Sequence, residues 1–170
     1  MTRSIAWLAA ILAVSVPAAA ASAHVYESGA VTVSHPWARA TPGGATVGAA
    51  YVEISAKDGT SDTLVAASSP AAGRVEIHTH TMDDGVMKMR KLEKLEIPGG
   101  NSVLLQPSGN HIMLFELKGP LKEGDLLPVT LVFEKAGEVK IEATIEPVGA
   151  KGPHGTTGQP GHEEHMGHGQ

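Results

Sequence analysis

From residue 30 onward, the chain alternates apolar and polar residues in short runs separated by turn-forming residues. The clearest run is 139–146, where Val139, Ile141, Ala143 and Ile145 alternate with charged or hydroxyl side chains, and residues 127–133 repeat the pattern. A period of two is typical of a β-strand with one buried and one solvent-facing side. The strands predicted in this way are 31–34, 47–55, 63–67, 74–80, 86–97, 102–105, 111–117, 128–134 and 139–146. Turn residues at 98–100 and 107–110 separate them. This spacing predicts an all-β fold, a single Greek-key sandwich domain.

The first 23 residues differ from the rest and are predicted to be a secretory signal peptide. Arg3 precedes an apolar stretch over residues 5–16, and Ala21-Ser22-Ala23 is a small-residue cleavage site. The apolar stretch is short for a membrane span, so we expect cleavage after Ala23, export, and no stable membrane insertion.

The last 22 residues, 149–170, are rich in glycine and histidine and contain neither valine nor leucine. Such a segment cannot bury enough apolar surface to fold, so a disordered tail is predicted and residues 24–148 remain as the folded domain. The tail carries soft and borderline donors that could chelate Cu(II): His154, His162, His165, Met166 and His168. A flexible chain of this length spans roughly 25 Å, enough to reach the domain. The alternative is a solvated spacer.

Composition excludes several functions. The net charge is −5 and no basic run occurs, so nucleic acid and anionic membranes are poor partners. The chain has no cysteine, which excludes a thiolate nucleophile, a cysteine zinc site and the blue-copper site of an electron-transfer cupredoxin. Neither a Ser-His-Asp pattern nor paired carboxylates stand out, so we do not expect an enzyme.

Histidines and methionines cluster in two places. One cluster runs from His78 to Met89, and the other is His111-Ile112-Met113. Residues two apart on a strand share a face, so His111 and Met113 point the same way with backbones about 7 Å apart. Imidazole and thioether groups suit the soft ion Cu(I), whereas carboxylates suit harder ions. Singly, each of these residues is better explained as core filler or a hydrogen-bonded histidine; together they favour a metal site.

Residues 78–89 are predicted to form a hairpin through Asp83-Asp84-Gly85. A four-residue loop, 82–85, would place His78 opposite Met89 and His80 opposite Met87. A three-residue loop would instead put Met89 on the other face. The sequence leaves both registers open, and a shared site needs the first or an equivalent bulge.

The same residues resemble the periplasmic PCu(A)C copper chaperones. His78, ten residues, Met89, twenty-one residues, then His111-x-Met113 matches the spacing of that family's motif. Residues 36–41 and 67–72 also resemble family segments, and the likeness covers about residues 31–146. The resemblance implies a cupredoxin-like sandwich or barrel with one Cu(I) held by His78, Met89, His111 and Met113. It also implies a periplasmic location and delivery of copper to a respiratory cytochrome c oxidase subunit, often alongside Sco-type thiol proteins.

Other histidines and methionines fall outside that motif. His80, Met82 and Met87 are either packing residues or a transfer relay, and His35 is expected to be structural. After cleavage, His24 would offer an amine and an imidazole, a minor option for Cu(II). A periplasmic copper buffer or resistance protein would share the same ligands, and sequence does not separate it from a chaperone.

Overall fold

The computed structural model describes residues 24–153, and every regular element in that part of the chain is a β-strand. The strands are β1 (Val25–Ser28), β2 (Val31–Arg39), β3 (Val47–Ala56), β4 (Asp62–Ser68), β5 (Ala72–Asp83), β6 (Val86–Leu92), β7 (Leu95–Ile97), β8 (Ser102–Leu105), β9 (His111–Leu117), β10 (Leu126–Phe133) and β11 (Gly137–Glu146). The predicted all-β class is confirmed. Within residues 24–153, no helix is long and apolar enough to span a membrane.

The strands join into one open sheet in the order β6-β5-β9-β3-β2-β11-β10-β4-β7, with β1 beside β2 and β8 beside β3. Neighbours in space are often distant in sequence, as expected for a Greek key. The buried cluster contains Val33 and Ile54 from one half of the sheet and Leu131 and Ile141 from the other. The two halves therefore cover a common apolar core, as the two layers of a sandwich do.

The prediction of one strand over residues 86–97 is wrong. The chain breaks at residues 93–94, so β6 pairs with β5 whereas β7 pairs with β4 at the opposite end of the sheet order. β1 was not predicted and pairs with β2.

Two contacts tie the domain together at its ends. Asp62 at the start of β4 is buried, and its carboxylate accepts hydrogen bonds from the backbone N–H groups of Thr63, Lys135 and Ala136 at 2.7, 3.0 and 2.8 Å. Arg39, the last residue of β2, donates a hydrogen bond from Nε to the carbonyl oxygen of Ala150, which follows β11, at 2.8 Å. The residues that directly follow β11, as far as Ala150, are thereby held against β2.

Candidate metal centre

The predicted ligands lie on three neighbouring strands, with β5 between β6 and β9. Cross-strand partners point to the same side of a sheet, as do alternate residues along each strand. By this rule one face, which we call the His/Met face, carries His78, His80 and Met82 of β5, Met87 and Met89 of β6, and His111 and Met113 of β9.

The hairpin between β5 and β6 has neither of the predicted loops. β5 continues to Asp83, which pairs with Val86, so the turn is the two residues Asp84 and Gly85. Both have positive φ, 49° and 78°, as a type I′ turn requires. Opposite Met89 is His80, and opposite Met87 is Met82. Because the loop has an even number of residues, Met89 still lies on the same face as His78. It is opposite His80, however, which is two residues closer to the turn than His78.

His78 and His111 are direct cross-strand partners, with ring centroids 6.0 Å apart. The His111 side chain is buried, and its Nδ1 lies 2.9 Å from the carbonyl oxygen of Gly109. A carbonyl can only accept, so Nδ1 carries the proton and Nε2 of the neutral ring keeps its lone pair. Burial lowers the pKa of His111, as do the nearby His80 and His78, against the opposing effect of the Gly109 carbonyl. His111 therefore stays neutral, and able to bind a metal, to a lower pH than a free imidazole.

Glu76 fixes the other imidazole and was not identified from the sequence. Its Oε2 lies 2.8 Å from Nε2 of His78, so the ring donates Nε2–H to the carboxylate. The hydrogen bond from His78 lowers the pKa of Glu76, burial opposes this, and Arg74, which also pairs with Glu76, lowers it further. The remaining nitrogen, His78 Nδ1, is buried and has no hydrogen-bond partner in the described part of the chain. A buried polar atom without a partner costs about 1–3 kcal/mol, and a bound metal would satisfy it.

The two predicted thioethers have different surroundings. Met113 is half-buried on β9, paired with Glu76 of β5 on one side and Ala49 of β3 on the other. Met89 is 54% exposed on β6, at the edge of the sheet. The structure thus brings His78, His111 and Met113 into adjacent positions, and it places Met89 on the same face but further out. Over residues 24–153, His, Cys, Asp and Glu side chains alone form no group of three or more that could hold a metal ion.

His80 is outside the family motif, but the structure places it beside the predicted ligand His111. Its ring stacks on His111 with centroids 4.9 Å apart, and its Nδ1 is 3.3 Å from the same Gly109 carbonyl. The signal in the sequence was its position two residues after His78, which puts both on one face.

The remaining histidines are away from this cluster or outside the described residues. His24 stacks against Tyr26 with centroids 6.4 Å apart. His35 has φ of 51° at an irregularity in the β2–β3 pairing. The tail candidates His154, His162, His165, Met166 and His168, and the predicted signal peptide 1–23, lie outside the described residues.

Comparisons with known proteins extend over most of the domain. The family described as "Putative lipoprotein LpqE-like" matches residues 31–145. A relative in Leifsonia xyli subsp. xyli, "Putative lipoprotein Lxx21020", is 34% identical over 135 residues, which are 79% of this chain and 80% of the relative.

Solved structures give the same result. The apo PCuAC domain from PmoF1 is 34% identical with a TM-score of 0.63, covering 73% of this chain and 99% of that domain. The copper-bound PCuAC domain from PmoF2 is 29% identical with a TM-score of 0.63, covering 73% and 98%. CuI-DR1885 from Deinococcus radiodurans is 29% identical with a TM-score of 0.52, covering 75% and 83%. With these neighbours, the expected cupredoxin-like fold is confirmed.

Proposed function

This chain belongs to the LpqE-like family, and its structural neighbours are PCuAC domains; from this premise we propose that it is an exported copper chaperone of the periplasm. It holds one Cu(I) through His78, Met89, His111 and Met113 and passes the ion to an acceptor protein. Its role is binding and transfer rather than catalysis. Two structural neighbours are named as copper-bound or CuI forms, which supports copper as the cargo.

The observation that carries the proposal is the pair of prepared imidazoles. His111 is held with Nε2 free by the Gly109 carbonyl, and His78 is held with Nδ1 free by Glu76. Fixing one ring nitrogen with a carbonyl or carboxylate is how proteins orient metal-binding histidines. Over residues 24–153, the buried Nδ1 of His78 has no hydrogen-bond partner. Both rings are therefore ready for an ion that accepts nitrogen donors.

The thioethers supply selectivity for the ion. Methionine sulfur is a neutral, soft donor that suits Cu(I) and offers little to harder ions. Unlike a thiol, it needs no deprotonation, and an oxidising compartment cannot remove it as a disulfide. Two imidazoles and two thioethers together form a neutral donor set for a monovalent soft cation.

The uneven exposure of the donors suits transfer. The His111 side chain is only 4% exposed, whereas Met89 is 54% exposed at the sheet edge. The buried side of the site would hold the ion, while an acceptor's ligands could displace Met89 first. We assign the acceptor as a cytochrome c oxidase subunit, with a Sco-type thiol protein acting alongside, because the resemblance of residues 78–113 to the PCu(A)C motif implies these partners.

We further propose Cu(II) capture by the tail histidines. The last described residue, Pro153, lines a cavity together with Trp37 and Gln106. Gln106 begins the turn that ends at Asn110, and Gly109 within it supplies the carbonyl bound by His80 and His111. Pro153 therefore lies near the residue that begins this turn. Because a flexible tail of this length spans roughly 25 Å, the histidines that follow Pro153 could reach the domain's copper site.

The experiment that tests the chaperone role is deletion of the gene followed by complementation. We expect deletion to lower cytochrome c oxidase activity under copper limitation, wild type to restore it, and Met113→Leu not to restore it. A copper buffer or resistance protein would instead give copper sensitivity with normal oxidase activity, and that result would replace the chaperone proposal with the alternative.

A further inference from the structure

The hairpin of β5 and β6 extends beyond the strand that supports its base. β5 pairs with β9 only as far as His78, whereas its pairing with β6 continues to Asp83 and Val86. Residues 79–83 and 86–90 therefore form a two-stranded ribbon. Two methionines, Met82 and Met87, face each other directly across it and are 67% and 56% exposed.

The two faces of this ribbon have different chemistry. The pairs that share the His/Met face are His80 with Met89 and Met82 with Met87, so that face of the ribbon carries only imidazole and thioether groups. Asp83, Lys88 and Arg90 belong to the alternate pairs on the other face, and there Asp83 forms ion pairs with Lys88 at 2.7 Å and with Arg90 at 3.5 Å. The charges of the ribbon are thus paired with one another, away from the neutral soft donors.

Packing alone gives a weak account of the exposed methionine pair. A cross-strand apolar pair can stabilise a hairpin, but β-branched and aromatic residues are the side chains that strands favour. An exposed pair also buries little area, so two methionines contribute little through the hydrophobic effect. What distinguishes a methionine pair at this position is its two thioether donors.

His80 connects this pair to the inner centre. It is two residues from Met82 on the same strand and diagonal to Met87, at Cβ separations of roughly 7–8 Å that long side chains can bridge. Its Nδ1 lies 3.3 Å from the Gly109 carbonyl, which leaves Nε2 as the nitrogen available to a metal. An ion with a filled d shell imposes no fixed geometry from its d electrons, so one imidazole and two thioethers suffice for it.

We propose that His80, Met82 and Met87 form a second position for a monovalent soft ion, Cu(I) or Ag(I), outside the centre formed by His78, Met89, His111 and Met113. This outer position rests on the proposed function only in taking copper as the natural ion. Its donors are fewer and more exposed, so it binds more weakly than the inner centre. Successive pairs on one face are about 7 Å apart, so an ion arriving at Met82 and Met87 has a short route to His80 and Met89.

The test uses the mature protein, residues 24–170, with ¹³C-labelled methionine methyl groups, titrated anaerobically with Ag(I) nitrate. We expect the Met89 and Met113 signals to shift with the first equivalent, and the Met82 and Met87 signals to shift with a later one. The variant M82L/M87L is expected to lose one equivalent of bound silver and to keep the first. The matched control is V86L, which changes exposed apolar bulk on the ribbon's other face and removes no donor; it should keep both phases.

The outcomes separate this proposal from the proposed function. In M113L, the Met82 and Met87 signals should still shift with silver, because the outer position does not use Met113. Met82 and Met87 signals that do not move, or that move in one step with Met89 and Met113 at the first equivalent, overturn the outer position. Failure of the Met89 and Met113 signals to move, with Met82 and Met87 responding, overturns the inner centre and leaves the outer one standing.

Discussion

Replacing Met113 with leucine removes one proposed copper donor while leaving the fold almost unchanged. Met113 is half-buried between Glu76 on β5 and Ala49 on β3, and leucine has nearly the same volume. A volume-conserving exchange of this kind usually costs less than about 1.5 kcal/mol of unfolding free energy. Loss of a partner that only orients a metal ligand already weakens metal affinity roughly 10–100-fold. Loss of the ligand itself should therefore cost at least about 100-fold, or about 2.7 kcal/mol of binding free energy.

The assay is anaerobic competition for Cu(I) against a chromophoric chelator, with denaturant unfolding of the apo protein measured in parallel. Val47→Leu is the control, because Val47 lies opposite Phe115 on the face that carries Met113 and offers no donor. We expect the control to keep wild-type affinity. Met113→Leu with affinity within threefold of wild type and normal stability would refute the assignment of Met113 as a ligand. An affinity loss matched by an equally large loss of stability would also count against it.

Three further predictions concern the domain's anchors and ends. Asp62→Ala leaves three backbone N–H groups without their carboxylate and should lower the unfolding free energy by about 2–4 kcal/mol. Burial raises the pKa of Asp62, but the three backbone donors together lower it below the ordinary value of 3.8. The stability advantage of the wild type in urea unfolding should therefore be complete above about pH 5 and shrink as the pH falls further. Burial lowers the pKa of His111 from 6.5, so below pH 6.5 the unfolded chain takes up a proton that the folded protein resists. The urea midpoint for unfolding of the apo protein should therefore decrease as the pH is lowered from 7.5 to 5.5. A midpoint that stays constant or increases over this range would contradict the burial of His111. Removing residues 154–170, beyond the Ala150 contact with β2, should lower Cu(II) stoichiometry in calorimetry and leave Cu(I) affinity unchanged, and undiminished Cu(II) uptake would exclude the tail as a site.

The parts of the fold that the sequence predicted best are those where burial alternates. Val129, Leu131 and Phe133 on β10 and Val139 and Ile141 on β11 are all buried, so their period of two was a reliable signal. β6 has no fully buried residue. Val86, Met87 and Met89 are exposed, and only Leu92 at its end is partly buried against the core. The apolar residues of this segment therefore did not indicate a buried side. The break between β6 and β7 arises because β6 pairs with β5 and β7 with β4, two strands that lie far apart in the sheet order.

The hairpin register shows a different limit. Asp84-Gly85 is a typical two-residue type I′ turn, so the turn itself had a clear sequence signal. The predicted loop was longer because Asp83 was assigned to the turn, whereas it forms the last pair of β5 and β6. In the observed register Met89 therefore lies opposite His80, whereas the four-residue loop would have placed it opposite His78. The role of Glu76 could have been anticipated from its place two residues before His78, but a hydrogen bond between neighbours on one face depends on side-chain orientation that spacing does not give.

X-ray absorption at the copper edge of residues 24–170, loaded with one equivalent of Cu(I), tests the central claim most directly. Two nitrogen and two sulfur neighbours are expected for wild type, and Met113→Leu should lose one sulfur. A first shell of nitrogen and oxygen alone, unchanged by Met113→Leu, would contradict the claim that imidazoles and thioethers on the His/Met face share one copper ion.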